Sequence, residues 1–253
     1  MAFEVFQFPC LSDNYGYLLH DADSGATACI DTPEAEAINA ALEDKGWRLT
    51  HILNTHHHFD HAGGNEALKA RWHCRIVGAA NDAERIPGID ERVAQGDRVS
   101  VGGLTGQVIE VPGHTSGHIA YHFAEQGIAF VGDTLFSLGC GRLFEGTPVQ
   151  MWQSLQALMA LPEDTLMYCA HEYTQSNAAF ALSVEPGNEA LVSRAKEIDA
   201  LRADGLPTVP TTLALEKATN PFLRPDSAEI QATTGRTDLV EVFAETRRLK
   251  DNF

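Results

Sequence analysis

Thr55-His56-His57-His58-Phe59-Asp60-His61 places four histidines and a carboxylate within seven residues. Imidazole nitrogens and carboxylate oxygens are ligands for zinc and similar divalent ions, and a local cluster supplies most of a site without closing a loop. In an extended or loop segment His56 and His58 point to one side and His57 to the other. Asp60 and His61, just past the turn, face a second position nearby. Four local ligands are too few for two closed sites, so the other ends of apolar runs matter. His114 stands in Pro112-Gly113-His114-Thr115, Asp133 in Gly132-Asp133-Thr134, and His171 in Ala170-His171-Glu172. Seven candidates suit two metals better than one. A plausible division puts His56, His58 and His114 on one ion and Asp60, His61 and His171 on the other. Asp133 then bridges, since a carboxylate has two oxygens. Two ions about 3.5–4 Å apart can share a hydroxide and clamp both the attacking and the leaving oxygen.

The elements that must position these residues are legible. His51-Ile52-Leu53-Asn54 reads as a short buried strand, Gly63-Gly64 break the chain, and Asn65 begins a helical pattern. The cluster therefore occupies a strand-to-helix loop, where α/β folds keep their chemistry. Further strands are predicted at Glu4–Gln7, Tyr15–His20, Thr27–Asp31, Ile52–Thr55, Arg75–Val77, Arg98–Val101, Gln107–Val111, Ile119–Phe123, Ile128–Gly132 and Leu166–Cys169. Helices are predicted at Glu34–Lys45, Glu66–Arg71 and Val149–Leu161, the last with Thr147 as N-cap, Pro148 at the first helical position and Gln150 completing a capping box. Many strands with few helices suggest sheet-on-sheet layers covered by helices. After about residue 172 strand signals almost vanish. Tyr173–Ser183, Glu189–Ala203, Ser227–Thr233 and Asp238–Leu249 read as helices joined by proline-containing loops. The expectation is a catalytic domain over 1–171 and a smaller helical domain over 172–253.

A chain of 253 residues with 44% hydrophobic content has material for one large domain and a smaller partner. No segment approaches the roughly 18 apolar residues of a membrane span, and Met1-Ala2-Phe3-Glu4-Val5 lacks the form of a signal peptide. A cytoplasmic protein is expected. The net charge of −17 argues against nucleic acid as partner but not against a small anion in a locally basic pocket. The five cysteines (Cys10, Cys29, Cys74, Cys140, Cys169) are odd in number, widely spaced and without a CxxC pair, so they are read as reduced and buried. His20, His51, His57, His73, His118 and His122 are read as structural. Asp31 either accepts a hydrogen bond from a metal-bound histidine or caps the helix starting near Pro33. Arg247, Arg248 and Lys250 crowd the end of the last helix, either as a dipole-matched helix end or as a patch for an anionic ligand.

At HxHxDH followed by separate His, Asp and His residues, the chain resembles the metallo-β-lactamase superfamily. Within it, Gly139-Cys140-Gly141-Arg142-Leu143-Phe144-Glu145-Gly146, Tyr168-Cys169-Ala170-His171-Glu172-Tyr173-Thr174, Asn220-Pro221-Phe222 and Arg247-Arg248-Leu249-Lys250 resemble the hydroxyacylglutathione hydrolases, the glyoxalase II family, over essentially the whole chain. The resemblance implies an α+β fold, a four-layer αββα metallo-β-lactamase-like sandwich with a smaller C-terminal α-helical domain that holds glutathione. It implies two divalent ions, Zn2+ first and Fe or Mn as alternatives, on the seven ligands above. Asp60 and Asp133 are then the catalytic carboxylates, and Arg142, Tyr173, Arg247 and Lys250 the glutathione contacts, with Arg248 left as a helix-end charge. Arg142 stands where some relatives have Lys, and Phe144 where some have Tyr.

The reaction implied is hydrolysis of S-D-lactoylglutathione to D-lactate and glutathione, the second step of methylglyoxal detoxification, by a monomer with no nucleic-acid or membrane partner. A thiolate leaving group needs no strong general acid, and no Ser or Cys nucleophile is required. The main alternative is an iron-dependent glutathione persulfide dioxygenase of the same fold. Other hydrolases of the fold, acting on a β-lactam, a lactone or a phosphodiester, and a non-catalytic metal scaffold complete the field.

Overall fold

Parallel strands need a crossover between them, and the spacing of apolar runs here leaves room for helices only between certain pairs. The computed structural model describes residues 2–253. The chain divides into two compact units, one of residues up to Glu110 with Ser116–Gly132, the other of Val111–Thr115 with Asp133–Phe253.

In the first unit, β1 (Phe3–Cys10) and β2 (Asn14–Asp21) form an antiparallel hairpin, with Cys10 opposite Asn14. β3 (Ala26–Ile30) pairs antiparallel with β2, and then β4 (His51–Leu53), β5 (Arg75–Ala79) and β6 (Glu91–Val93) follow parallel to it. The sheet order is β1-β2-β3-β4-β5-β6. The crossovers carry α1 (Ala35–Lys45), the one-turn helix α2 (Phe59–Ala62) and α3 (Asn65–Trp72). Ile38 and Leu42 of α1 and Leu68 of α3 bury against Leu18, Cys29, Ile52 and Ile76 of the sheet. Each such side chain removed from water contributes about 1.5–3 kcal/mol. The carboxyl ends of β3 and β4 consequently lie side by side, with Asp31 after one and Thr55–His58 after the other. Four further strands, β7 (Arg98–Val101), β8 (Leu104–Glu110), β9 (Ile119–Phe123) and β10 (Ile128–Gly132), pair antiparallel in the order β10-β9-β8-β7. Every residue of β9 and β10 is buried, so β10 reads as an unbroken apolar run and β9 as one interrupted by His122.

The second unit opens with a hairpin of two-residue strands, β11 (Leu135–Phe136) and β12 (Gly139–Cys140). It continues through α4 (Pro148–Met159), β13 (Leu166–Cys169), α5 (Thr174–Val184), α6 (Glu189–Ala203), β14 (Thr211–Thr212), α7 (Leu213–Thr219), α8 (Ala228–Thr234) and α9 (Leu239–Asp251). The capping box at α4 is formed: the Gln150 N–H donates to Thr147 Oγ1 at 3.3 Å, and the Thr147 N–H donates to Gln150 Oε1 at 3.0 Å. Trp152 of α4, Phe243 of α9, Phe222 and Phe180 of α5 form a chain of rings with centroids 6.0–6.1 Å apart, the core that binds these helices together. Six strands and α-helices lack a sequence signal: α2, β6, β11, β12, β14 and α7. Strands of two or three residues are too short for a period-2 pattern, and α7 is only seven residues long.

Candidate metal centre

The end of β3 turns through Asp31, whose φ of 56° swings its carboxylate toward the neighbouring strand end. Asp31 Oδ1 accepts the Thr55 N–H at 2.7 Å, and Oδ2 accepts the Thr55 hydroxyl at 2.7 Å. Oδ2 also lies 2.8 Å from His61 Nδ1. A carboxylate only accepts, so the His61 proton is on Nδ1 and its lone pair on Nε2. The same logic reaches His56. Its Nδ1 is 3.0 Å from Thr55 Oγ1, which has given its hydrogen to Asp31 and can only accept. His56 therefore also presents a lone pair at Nε2. Asp31 does not cap α1, whose N-cap is Glu34.

His58 Nδ1 lies 3.0 Å from His56 Nε2. Two nitrogens bound tetrahedrally at about 2.0–2.1 Å stand roughly 3.3 Å apart, so this spacing is close to that of two ligands on one ion. Asp60 and His61 sit on α2, and Asp60 Oδ2 is 3.5 Å from His61 Nε2. Asn14, at the start of β2, donates to Asp60 Oδ2 at 3.2 Å and to its carbonyl at 3.3 Å. The His61 carbonyl accepts from Asn54 Nδ2 at 2.8 Å; Asn65 in turn donates to Asn54 Oδ1 at 2.7 Å. His57 turns elsewhere, its Nδ1 3.0 Å from the buried Asp82, which also pairs with Arg85. His118 stacks on His56, with centroids 4.6 Å apart and planes at 20°. His20 stacks on Trp47, and His73 ends α3 in the left-handed conformation. Burial lowers the pKa of His51 and His122, favouring their neutral forms.

In the second unit, His114 Nδ1 lies 2.9 Å from the Arg142 carbonyl, again an acceptor, which leaves the lone pair on Nε2. That Nε2 is 3.4 Å from Asp133 Oδ2, while His171 Nε2 is 3.4 Å from Asp133 Oδ1. One buried carboxylate thus turns each oxygen toward a different imidazole. Tyr173 lies flat on His171 at 4.7 Å and 3°, and the exposed Phe144 sets its ring edge-on to His114 at 5.1 Å. Each unit thus gathers side chains of the kinds that hold a metal ion: His56, His58, Asp60 and His61 in the first, and His114, Asp133 and His171 in the second. The donors fit such an ion: imidazoles with fixed tautomers and carboxylates, the ligand types of zinc, iron and manganese.

The basic end of α9 is divided in its work. Arg247 is 5% exposed and donates to the Cys140 carbonyl at 2.8 Å and to Asp251 at 3.1 Å, with its guanidinium 5.0 Å from the Phe222 ring centroid. Lys250 reaches the Ser176 carbonyl at 3.1 Å and its hydroxyl at 3.2 Å. Burial first, then the charges of Arg247 and Arg142, bring its pKa down to about 8. Arg142 is mostly exposed, 3.9 Å from Asp251. Arg248 pairs with Glu245 on the surface. All five cysteines are free and buried, and burial pushes the Cys140 thiol up to about 11 and Cys169 to about 12, so neither is a nucleophile at neutral pH.

Asn14, Thr55, Asn54, Asn65 and Asp82 escaped functional reading from the sequence. Asn14 and Asp82 are separated from their partners by 46 and 25 residues, so no local motif joins them.

Residues 25–171 match the metallo-beta-lactamase superfamily model, and residues 172–253 match the hydroxyacylglutathione hydrolase C-terminus model. The hydroxyacylglutathione hydrolase of Maricaulis maris (strain MCS10) is 58% identical over 251 residues, 98% of each chain. Among solved structures, ETHE1 from Myxococcus xanthus aligns with a TM-score of 0.70 at 27% identity, covering 100% of this chain and 91% of that one. TTHA1623 in a di-iron-bound form aligns with a TM-score of 0.63 at 25% identity, covering 87% of this chain and 100% of that one. The fold is the α+β metallo-β-lactamase fold with a C-terminal helical domain, and the chain belongs to the hydroxyacylglutathione hydrolase family.

Proposed function

We propose that the chain hydrolyses S-D-lactoylglutathione to D-lactate and glutathione, the second step of methylglyoxal detoxification, using two divalent ions. The observation that carries this reading is Asp133, each of whose carboxylate oxygens lies 3.4 Å from a different imidazole, a placement from which it would serve two ions. His56, His58 and His114 would hold one ion and Asp60, His61 and His171 the other, with Asp133 shared. Zn2+ is the first choice; the di-iron form of TTHA1623 keeps iron as the alternative on this fold. When bound, the ions supply Lewis acidity and a water of low pKa at neutral pH.

The chain's own residues do the rest. Asp31 and Thr55 hold His56 and His61 in the tautomers that put the lone pair on Nε2. Asn14 keeps the Asp60 carboxylate oriented, so that it can also align the attacking water. Arg142, Tyr173, Arg247 and Lys250 serve glutathione, whose two carboxylates make it net anionic. Arg247, already holding the Cys140 carbonyl, contributes its field, and Lys250 a donor. The phenyl ring of Phe144 offers glutathione no hydroxyl. The thiolate leaves without a strong general acid, in keeping with the absence of a reactive thiol or a second proton donor from this scheme.

The hydrolase is preferred to a mononuclear persulfide dioxygenase because His61 and Asp133 complete a second ligand set and because the tail matches the hydrolase C-terminus. Catalysis is assigned to residues 1–171 and glutathione binding to 172–253. One chain supplies every residue named, so a monomer suffices, and five free thiols suit a cytoplasmic location. No helix among the described residues is long and apolar enough to cross a membrane. The test is turnover of S-D-lactoylglutathione against the same acyl group on a non-glutathione thiol, with metal content measured on the purified protein. Two ions per chain and a strong preference for the glutathione thioester are expected. Equal turnover of both thioesters removes the proposed substrate site; oxygen uptake with glutathione persulfide replaces the reaction.

A further inference from the structure

We infer that the β11–β12 hairpin is the device that positions His114 and Asp133, and that Asn220, which clamps its tip, is a positioning residue for metal binding. The inference rests on the reading of His114, Asp133 and His171 as ligands.

The base of the hairpin is the metal centre's own backbone. Asp133 and Thr134 lead directly into β11, and Gly141 and Arg142 follow directly from β12. The Gly141 N–H donates to the Thr134 carbonyl at 3.3 Å. A Cβ on Gly141 would lie 2.0 Å from the Asp133 carbonyl oxygen and 3.1 Å from His114 Nδ1, so only glycine lets the three groups close up. The next carbonyl, that of Arg142, is the acceptor that fixes the His114 tautomer. The position of this base therefore sets both the Asp133 carboxylate and the His114 lone pair.

Two-residue strands cannot hold a geometry by themselves. The tip is held instead by the helices. Leu138 adopts φ 58°, a conformation that β-carbon sterics disfavour, yet it is fully buried among Ala178 and Ala181 of α5 and Leu191, Ala195 and Ile198 of α6. Its N–H donates to Glu216 Oε2 at 2.9 Å. Asn177 Nδ2 donates to the Ser137 carbonyl at 3.0 Å, and Arg194, paired with Glu216, donates to Ser137 Oγ at 2.8 Å. Asn220, fully buried after α7, shares its two Nδ2 hydrogens among the Phe136 carbonyl at 3.1 Å, the Gly139 carbonyl at 3.0 Å, one on each strand, and Glu216 Oε2 at 2.9 Å, the same oxygen that accepts the Leu138 N–H. Its Oδ1 accepts the Phe222 N–H at 3.0 Å, which settles the orientation of the amide and aims its donors at the hairpin. Two carbonyls on opposite strands, bound by one amide, fix the hairpin's width and pitch.

The test compares wild type and Asn220→Ala after metal removal, by Zn2+ titration against a chromogenic chelator and by the visible absorption of the Co2+ form. The expected result is a roughly 10–100-fold weaker site, the range for outer partners of metal ligands, with an altered Co2+ spectrum. The KM for the glutathione thioester should change less than kcat. Wild-type affinity and spectrum, with only a lower Tm, would overturn the inference. If Asn220→Ala does not fold, Asn177→Ala carries the same test at the Ser137 carbonyl: a smaller loss in the same direction supports it, and unchanged metal binding overturns it. A wild type that binds no metal sinks the ligand reading itself; a wild type with two ions and an unaffected variant sinks the hairpin's role alone.

Discussion

Asp31 Oδ2 lies 2.8 Å from His61 Nδ1, and the same oxygen accepts the hydroxyl hydrogen of Thr55. A single carboxylate thereby determines which nitrogen is open on two imidazoles, His61 directly and His56 through Thr55. Replacing Asp31 by Asn puts an amide against donors that need an acceptor and removes the charge that makes both imidazoles better ligands. Metal affinity of Asp31→Asn should fall about 10–100-fold, read by chelator competition on folded protein. Unchanged affinity would mean that the tautomers are set by some other contact.

Asp133→Asn keeps the volume of a side chain that is 7% exposed and removes one of its two equivalent oxygens. If the carboxylate bridges, metal content should drop from two ions per chain to one or fewer. Thioester hydrolysis should fall by at least about 100-fold, the scale on which electrostatic groups at a reacting centre act. A variant that keeps two ions and full turnover would contradict the binuclear arrangement.

These carboxylates differ in how far the sequence reveals them. Asp60 falls inside a dense local cluster, and Asp133 follows an apolar strand, so type and spacing suffice to mark both. Asp31 is ambiguous in one dimension, because the end of a strand and the start of a helix occupy the same few residues. Only its φ of 56° and the register of β3 beside β4 decide where its carboxylate goes. The helices after residue 172, α7 apart, are legible because apolar periodicity survives between proline-containing loops. Asn220 is invisible as a clamp: its partner carbonyl at Gly139 is 81 residues away, in a strand of two residues that has no pattern of its own. Polar side chains that satisfy distant backbone carry no local signature.

Arg247 and Lys250 should separate when each is replaced by Ala. Arg247 is buried and holds the Cys140 carbonyl, so its loss strands a buried acceptor, at a cost of about 1–3 kcal/mol. That corresponds to a Tm lower by several degrees in a chain of this size. Lys250 is half-buried, bonds to Ser176 and lies over the Phe180 and Phe253 rings at 5.4 and 5.3 Å, so its removal should lower Tm less than that of Arg247 and raise the KM for the glutathione thioester. Thermal melts together with KM check both halves. Equal Tm losses in the two variants would show that the division between holding the fold and holding the ligand is wrong.

If Lys250 holds glutathione, substrate binding has a pH dependence with a defined sign. Burial and the neighbouring arginines bring its pKa down to about 8, so the ammonium is charged below that pH and neutral above it. Attraction for a glutathione carboxylate is therefore present at neutral pH and is lost as pH rises through 8. KM should climb up to about tenfold between about pH 7 and 9 if only the charged form binds, with kcat changing less. Stability carries the opposite sign. The unfolded chain holds this proton up to about 10.5, so the group's contribution to stability increases between pH 8 and 10.5. Lys250→Arg, charged throughout that range, should flatten the KM profile without abolishing binding. A wild-type KM that is level across this range, or an Arg variant with the same inflection, would assign the pH dependence to another group.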